Sequence, residues 1–301
     1  MDDQIETNLE SHRSDNAALL SVGPYRSVDG FDFKMLLVRP HGPGPHPAMC
    51  LFFGGGFAQG SSLQFAEHAK YLSSRGLIVF LPDYRVTSRH GSRMPDSLDD
   101  ARAAFTWILA HAEVFGVDPE RVVLGGGSAG AYLAAAIAVG VAAPEPLPSK
   151  MPVALVLLNP VLDFTGLADT LRLPMMTRSG PLHGVILEDY NISGTTPGLP
   201  PAIVLHGRAD GVVDFKSVEN VVATVCSHGG DWRLVGYDGQ PHGFFNHPSL
   251  RAHGPRGWQF AATLEQIDAF LVDLGLLAGS TTLSVSTTWT DHTPATPIPD
   301  R

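Results

Sequence analysis

Apolar residues along the chain fall into two alternating kinds of run. Short, nearly unbroken apolar segments such as "FKMLLVRP", "PAMCLFF", "GLIVFLPDYR" and "RVVLGG" carry the length and the β-branched and aromatic content of strands. The third of these ends at Pro82. "PVALVLLNPVLD", "PPAIVLHG" and "DWRLVGYDG" supply three more. Between them lie stretches with apolar residues at helical spacing. These cover residues 61–75, a segment capped by Asp96 or Ser97 and running to about Ala112, the Ala-rich run after Ser128, about Asp214 to His228, and about Trp258 to Leu274. Strand-helix alternation of this kind predicts an α/β protein with a mostly parallel central sheet flanked by helices.

Three segments stand outside the alternation. Residues 1–20 read as a polar N-terminal arm, with neither the basic start nor the apolar centre of a signal peptide. Residues 279–301 are rich in Ser, Thr and Pro and read as an extended tail. Within the single domain expected over 21–278, residues 164–200 break the rhythm with Pro and Gly, as a small lid-like or pocket-forming insertion would.

Composition narrows the partners. With 301 residues, 44% of them hydrophobic, the chain can bury a large core. Thirty acidic against twenty basic residues give a net charge of −10 with no Lys/Arg run, which argues against nucleic-acid and anionic membrane surfaces and favours a small-molecule partner. No apolar run reaches membrane-spanning length. Cys50 and Cys226, both in apolar element-like runs, read as thiols and point to a reducing, cytoplasmic compartment. A homodimer stands beside a monomer as the expected assembly.

The candidate chemistry begins at "LGGGSAGAY", where Gly126-Gly127-Ser128-Ala129-Gly130 forms a G-x-S-x-G motif between a buried strand and a helix. So sharp a turn strains the serine backbone, needs glycines two residues to either side, and presents the hydroxyl at the carboxyl edge of the sheet near the positive end of the helix. A second glycine run, "LFFGGGFAQGSS", also follows a strand. Its Gly55 and Gly56 amides, with that of Ala129, are the candidate oxyanion donors. A serine nucleophile needs a base and the base an orienting carboxylate. Of thirteen histidines, His242 in "GQPHGFF" is preferred because it lies just past a late strand beside a glycine. Asp210 in "HGRADGVVDF" is the preferred acid, with Asp214, placed where a helix N-cap would sit, and Asp163, also following a strand, as rivals.

Ser128, Asp210 and His242 occur in the order of the α/β-hydrolase fold. Through "FGGGF", "PDYRV", "GGGSAGAYLAAA", "HGRADGVVDF" and "GQPHGFF", residues 30–278 resemble the bacterial esterase/lipase branch of that family, near acetyl esterases and hormone-sensitive-lipase-like carboxylesterases. Two positions depart from the pattern: Phe53 replaces the usual His of the glycine loop, and Ala131 stands where such relatives often carry Gly. The resemblance implies a serine carboxylesterase acting on short-chain, acetyl-like esters through an acyl-enzyme, without metal or organic cofactor. Phe57, Met175, Met176 and Phe244 are candidate pocket residues. Two other readings are carried: a tailoring enzyme catalysing lactonisation, acyl transfer or elimination, and a ligand-binding pseudoenzyme.

Overall fold

A computed structural model of the chain describes residues 18–142, 150–164, 177–192, 196, 198–250 and 258–279. Eight strands form one sheet: β1 (Leu20–Val28), β2 (Phe31–Val38), β3 (His46–Phe52), β4 (Ile78–Pro82), β5 (Val117–Gly127), β6 (Ala154–Leu158), β7 (Ala202–Gly207) and β8 (Trp232–Tyr237). Their spatial order is β1-β2-β4-β3-β5-β6-β7-β8. β1 pairs antiparallel with β2 and β2 antiparallel with β4, and every later pairing is parallel. The principal helices are α1 (Ala66–Ser74), α2 (Met94–Ala110), α3 (Ala129–Val139), α4 (Phe215–Ser227) and α5 (Trp258–Asp273).

The apolar runs become the inner strands because both faces of the sheet are covered. Successive side chains alternate between two cores. Cys50, Phe52, Leu124, Leu155 and Val204 join the layer formed with α2, α3 and α4, while Met49, Leu51, Val123, Val156 and Ile203 join the layer formed with α1 and α5. α3 is apolar on every side and almost wholly buried, packed on β3, β5, β6 and α2. Its alanines let the helix lie close to the sheet, which seats its first turn directly behind the end of β5.

Two elements differ from the sequence expectation. β1 was not anticipated: only Val22 and Tyr25 of its nine residues are buried, and its register with β2 shifts between Val22 and Arg26, around Gly23-Pro24, so the period-2 signal is broken. α2 begins at Met94, two residues before the expected cap. Asp96 is its third residue and accepts the Arg93 N–H at 2.8 Å, and Pro95 fits in the first turn, where it removes no helical hydrogen bond. The expected terminal arm up to residue 17, the tail from 280 onward, and residues 165–176, 193–195 and 197 of the expected insertion lie outside the described residues.

The loop leaving β4 is held firmly. Arg85 pairs with the fully buried Asp100 of α2 through its backbone N–H (2.9 Å), Nε (2.8 Å) and Nη2 (3.0 Å), and Ser97 Oγ donates to the Arg85 carbonyl at 2.8 Å. This clamp fixes Tyr84, which packs against Phe53 at the end of β3.

On the opposite face, His68 of α1 is buried among Phe65 and Phe260 (ring centroids 4.9 and 4.7 Å), and neither ring nitrogen has a hydrogen-bond partner among the described residues. Burial, with a smaller contribution from His247, lowers its pKa from 6.5 to about 3. The folded protein therefore refuses a proton that the unfolded chain accepts below about pH 6.5, so folding stability falls as pH drops from there, by up to about 1.4 kcal/mol per pH unit. Thermal melts of His68→Phe, which keeps the ring contacts, should lose less stability than wild type between pH 7 and pH 4. Parallel curves for the two proteins would contradict this assignment.

Candidate active site

The turn from β5 into α3 places Ser128 at φ 54° and ψ −118°, a strained backbone for a residue with a side chain. The flanking glycines are required by contact: a Cβ on Gly126 would lie 2.4 Å, and one on Gly130 2.0 Å, from the carbonyl oxygen of Phe52 in β3. The Ser128 N–H donates to the Leu158 carbonyl at 2.8 Å, pinning the turn to the end of β6. Its hydroxyl is thereby lifted above the carboxyl edge of the sheet.

His242 Nε2 lies 2.9 Å from Ser128 Oγ, and His242 Nδ1 lies 2.8 Å from Asp210 Oδ2. A carboxylate only accepts, so the neutral imidazole carries its proton on Nδ1 and leaves Nε2 to receive the serine proton. Of the three candidate acids, the structure brings Asp210 to His242. Asp214 caps α4 instead, accepting the Ser217 N–H at 3.2 Å.

Asp210 is held by more than its histidine. Oδ1 accepts the Val212 and Val213 amides at 2.8 and 3.0 Å, and Oδ2 accepts Asn159 Nδ2 at 2.6 Å. His206 Nε2, fully buried, lies 3.2 Å from Oδ2 and 3.0 Å from the Val213 carbonyl. Burial opposes ionisation of Asp210, but the hydrogen bonds from His206 and His242, the charge of His242 and the Val213 amide outweigh it. The carboxyl stays well below the usual carboxylate range. Asn159 and His206 were not anticipated. Their only signals are an Asn directly after a strand, here at φ 47°, and a His four residues before the Asp.

The glycine loop follows β3. Phe53 is fully buried and stacks on Tyr84 (4.0 Å, 11° between planes), whose hydroxyl donates to the Phe53 carbonyl at 2.6 Å. The Phe53 position is thus filled by packing from below. The Gly54 N–H is taken by Gln64 Oε1 at 2.6 Å. Among the described residues the amides of Gly55, Gly56 and Ala129 donate to no group, and all three residues border the cavity that contains Ser128 and His242. Gly55 reaches φ 129°, and its carbonyl turns back to accept the Ala58 and Gln59 amides, leaving its own N–H free.

The cavity measures about 670 Å³. Phe57, Val161, Phe164, Val212 and Phe245 supply apolar wall, and Phe57 sits edge-on to Tyr132, as does Phe164. Phe244 corrects the expectation: it does not line the cavity but turns to Tyr237 (4.7 Å) and is buried there. Its neighbour Phe245 borders the cavity and stacks parallel to Phe65, with the Phe244 ring edge-on to it at 6.3 Å. Met175 and Met176 lie outside the described residues. Among the described residues no group of three or more His, Cys, Asp or Glu could hold a metal ion, and no helix is long and apolar enough to cross a membrane.

A mostly parallel sheet with two antiparallel strands at its start, and a serine on a strained strand-to-helix turn, together define an α/β-hydrolase. The chain belongs to the α/β-hydrolase fold family, whose profile matches residues 49–246. It is similar to esterase 2 of Thermogutta terrifontis. With butyrate bound, that structure superposes with a TM-score of 0.75 at 33% identity over 87% of this chain and 96% of that one. The same enzyme phosphorylated by paraoxon gives a TM-score of 0.74 at 32% identity, again over 87% and 96% of the two chains. Two Mycobacterium tuberculosis proteins are also similar. The probable carboxylic ester hydrolase LipM is 28% identical over 60% of this chain and 44% of its own, and the carboxylic ester hydrolase LipN is 32% identical over 58% and 49%. The chain thus spans about half the length of these curated relatives.

The Nδ1–H bond to Asp210 has a direct spectroscopic signature. Wild-type protein should give a far-downfield proton resonance for the His242 ring, lost in Asp210→Asn and kept in Asp214→Asn. A resonance that survives the first change, or disappears with the second, contradicts the pairing.

Proposed function

We propose that the protein is a carboxylic ester hydrolase that cleaves short-chain acyl esters through an acyl-enzyme. One observation carries the reading: Ser128 Oγ, His242 and Asp210 form an unbroken hydrogen-bonded relay that opens into a cavity bordered by three amides with no acceptor among the described residues. His242 takes the Ser128 proton as Oγ attacks the ester carbonyl. The Gly55, Gly56 and Ala129 amides receive the oxyanion, and the positive end of α3 adds to their field. His242 then passes the proton to the departing alcohol. In the second half, water attacks the acyl-serine, gives its proton to His242, and the acid leaves as the proton returns to Ser128. Asp210 keeps the imidazole in its productive tautomer throughout.

This chemistry is complete with side chains and backbone amides, so we propose no metal or organic cofactor. The apolar wall of Phe57, Val161 and Phe164 suits a small acyl group, and esterase 2 of Thermogutta terrifontis, with butyrate bound, supports the same size class. LipM and LipN support the reaction class. A reducing, cytoplasmic compartment remains the proposed setting, in keeping with a buried Cys50 and an exposed, unpaired Cys226.

The test is a series of p-nitrophenyl esters from acetate to laurate. kcat/KM should be greatest among the shortest chains, and Ser128→Ala should lower kcat by at least about a thousandfold with the melting temperature little changed. A preference for laurate would overturn the short-chain reading. A folded Ser128→Ala protein with near wild-type turnover would overturn the acyl-enzyme.

A further inference from the structure

The glycine loop and the histidine loop come from opposite ends of the sequence, yet their separation sets the distance between the oxyanion amides and His242. One side chain spans them. Gln64 sits on the 3-10 turn Ser62–Phe65, whose start is capped by Ser61. Its Oε1 accepts the Gly54 N–H at 2.6 Å, and its Nε2 donates to Asn246 Oδ1 at 2.8 Å across 182 positions of chain. The orientation of the carboxamide follows from chemistry. A backbone N–H can only donate, so Oε1 faces Gly54 and Nε2 is left for the oxygen of Asn246.

Both ends of this bridge reach the reacting groups. Gly54 is wedged against the nucleophile, since a Cβ there would lie 2.8 Å from the Gly127 carbonyl and 3.2 Å from Ser128 Cβ. By engaging the Gly54 amide, Gln64 fixes the peptide from which the two free amides of Gly55 and Gly56 follow. At the other end, the Asn246 N–H donates to the Gly243 carbonyl at 3.1 Å, closing the turn that begins beside His242. Gln64 and Asn246 both border the cavity and are only half-buried, so the bridge is a feature of the site and not of the core.

We infer that Gln64 is a positioning residue, a strut that aims the Gly55 and Gly56 amides and, through Asn246, fixes their distance from His242. The inference rests on the ester-hydrolase reading above. Phe53 and Tyr84 support the same loop from beneath, whereas Gln64 sets its placement relative to the base. Oxyanion contacts strengthen in the transition state, so slack in this strut lowers kcat and leaves substrate binding nearly untouched.

The test uses Gln64→Met, which keeps the length of the side chain and removes both bonds, together with Asn246→Ala and the double variant, assayed beside wild type on p-nitrophenyl acetate. Gln64→Met should lower kcat by about ten- to a hundredfold with KM within about twofold. Its affinity for a trifluoromethyl ketone, which binds as a tetrahedral adduct, should fall in parallel. Asn246→Ala should lower kcat less, and the double variant should be no worse than Gln64→Met, because the two residues act as one unit. Unchanged kcat in Gln64→Met, a loss confined to KM, or strictly additive losses would overturn the strut. Should Gln64→Met fail to fold, Asn246→Ala alone decides: lowered kcat at constant KM supports the strut, and wild-type kcat overturns it. Absence of turnover in wild type itself would overturn the hydrolase reading and the strut with it. Wild-type turnover matched by Gln64→Met would overturn the strut alone.

Discussion

The site depends on one close contact, the approach of the Ser128 turn to the end of β3. Gly126 and Gly130 press on the Phe52 carbonyl at distances that admit no side chain, and Ser128 between them is driven to a positive φ. That strain persists because its surroundings are rigid. β5 is paired on both sides, the Ser128 N–H is tied to β6, and α3 is buried on all faces. The same contact brings the glycine loop, which continues β3 beyond Phe52, against the serine. Nucleophile and candidate oxyanion amides are therefore placed by one packing event, without side chains reaching toward each other across open space.

The second constraint is electrostatic. A carboxylate buried behind the histidine is disfavoured by desolvation, and the fold compensates with donors from Asn159, His206, His242 and two backbone amides. These come from the ends of β6 and β7, the turn before α4 and the loop after β8, so the acid is kept charged by the same sheet edge that carries the serine. The comparison with Asp214 is instructive. Four residues away, an identical side chain serves to cap α4, because its oxygens meet a helix amide and no imidazole.

Much of this was legible in the sequence wherever local pattern and physics coincide. The inner strands β3 to β7 announce themselves as unbroken apolar runs because both faces are covered, and Ser128 stands out because only glycines tolerate its neighbourhood. Asp214 could be set apart from Asp210 because an N-cap has its own position before a helix. What stayed hidden depends on contacts between distant segments. β1 lost its alternation to Gly23-Pro24 and a register shift. Asn159, His206, Gln64 and Asn246 are ordinary polar residues until the sheet edge gathers them. That Phe245 and not Phe244 forms cavity wall depends on contacts with Phe65 and Tyr237, far off in sequence, and Phe53 can be understood only beside Tyr84, thirty-one positions later.

The turn at Ser128 presents its hydroxyl to His242, which Asp210 backs in turn. The most direct measurement is reaction of the folded protein with a fluorophosphonate, followed by intact mass and peptide mapping. One adduct per chain is expected, located on Ser128. An adduct on a different residue, or none on protein shown to be folded, would contradict it.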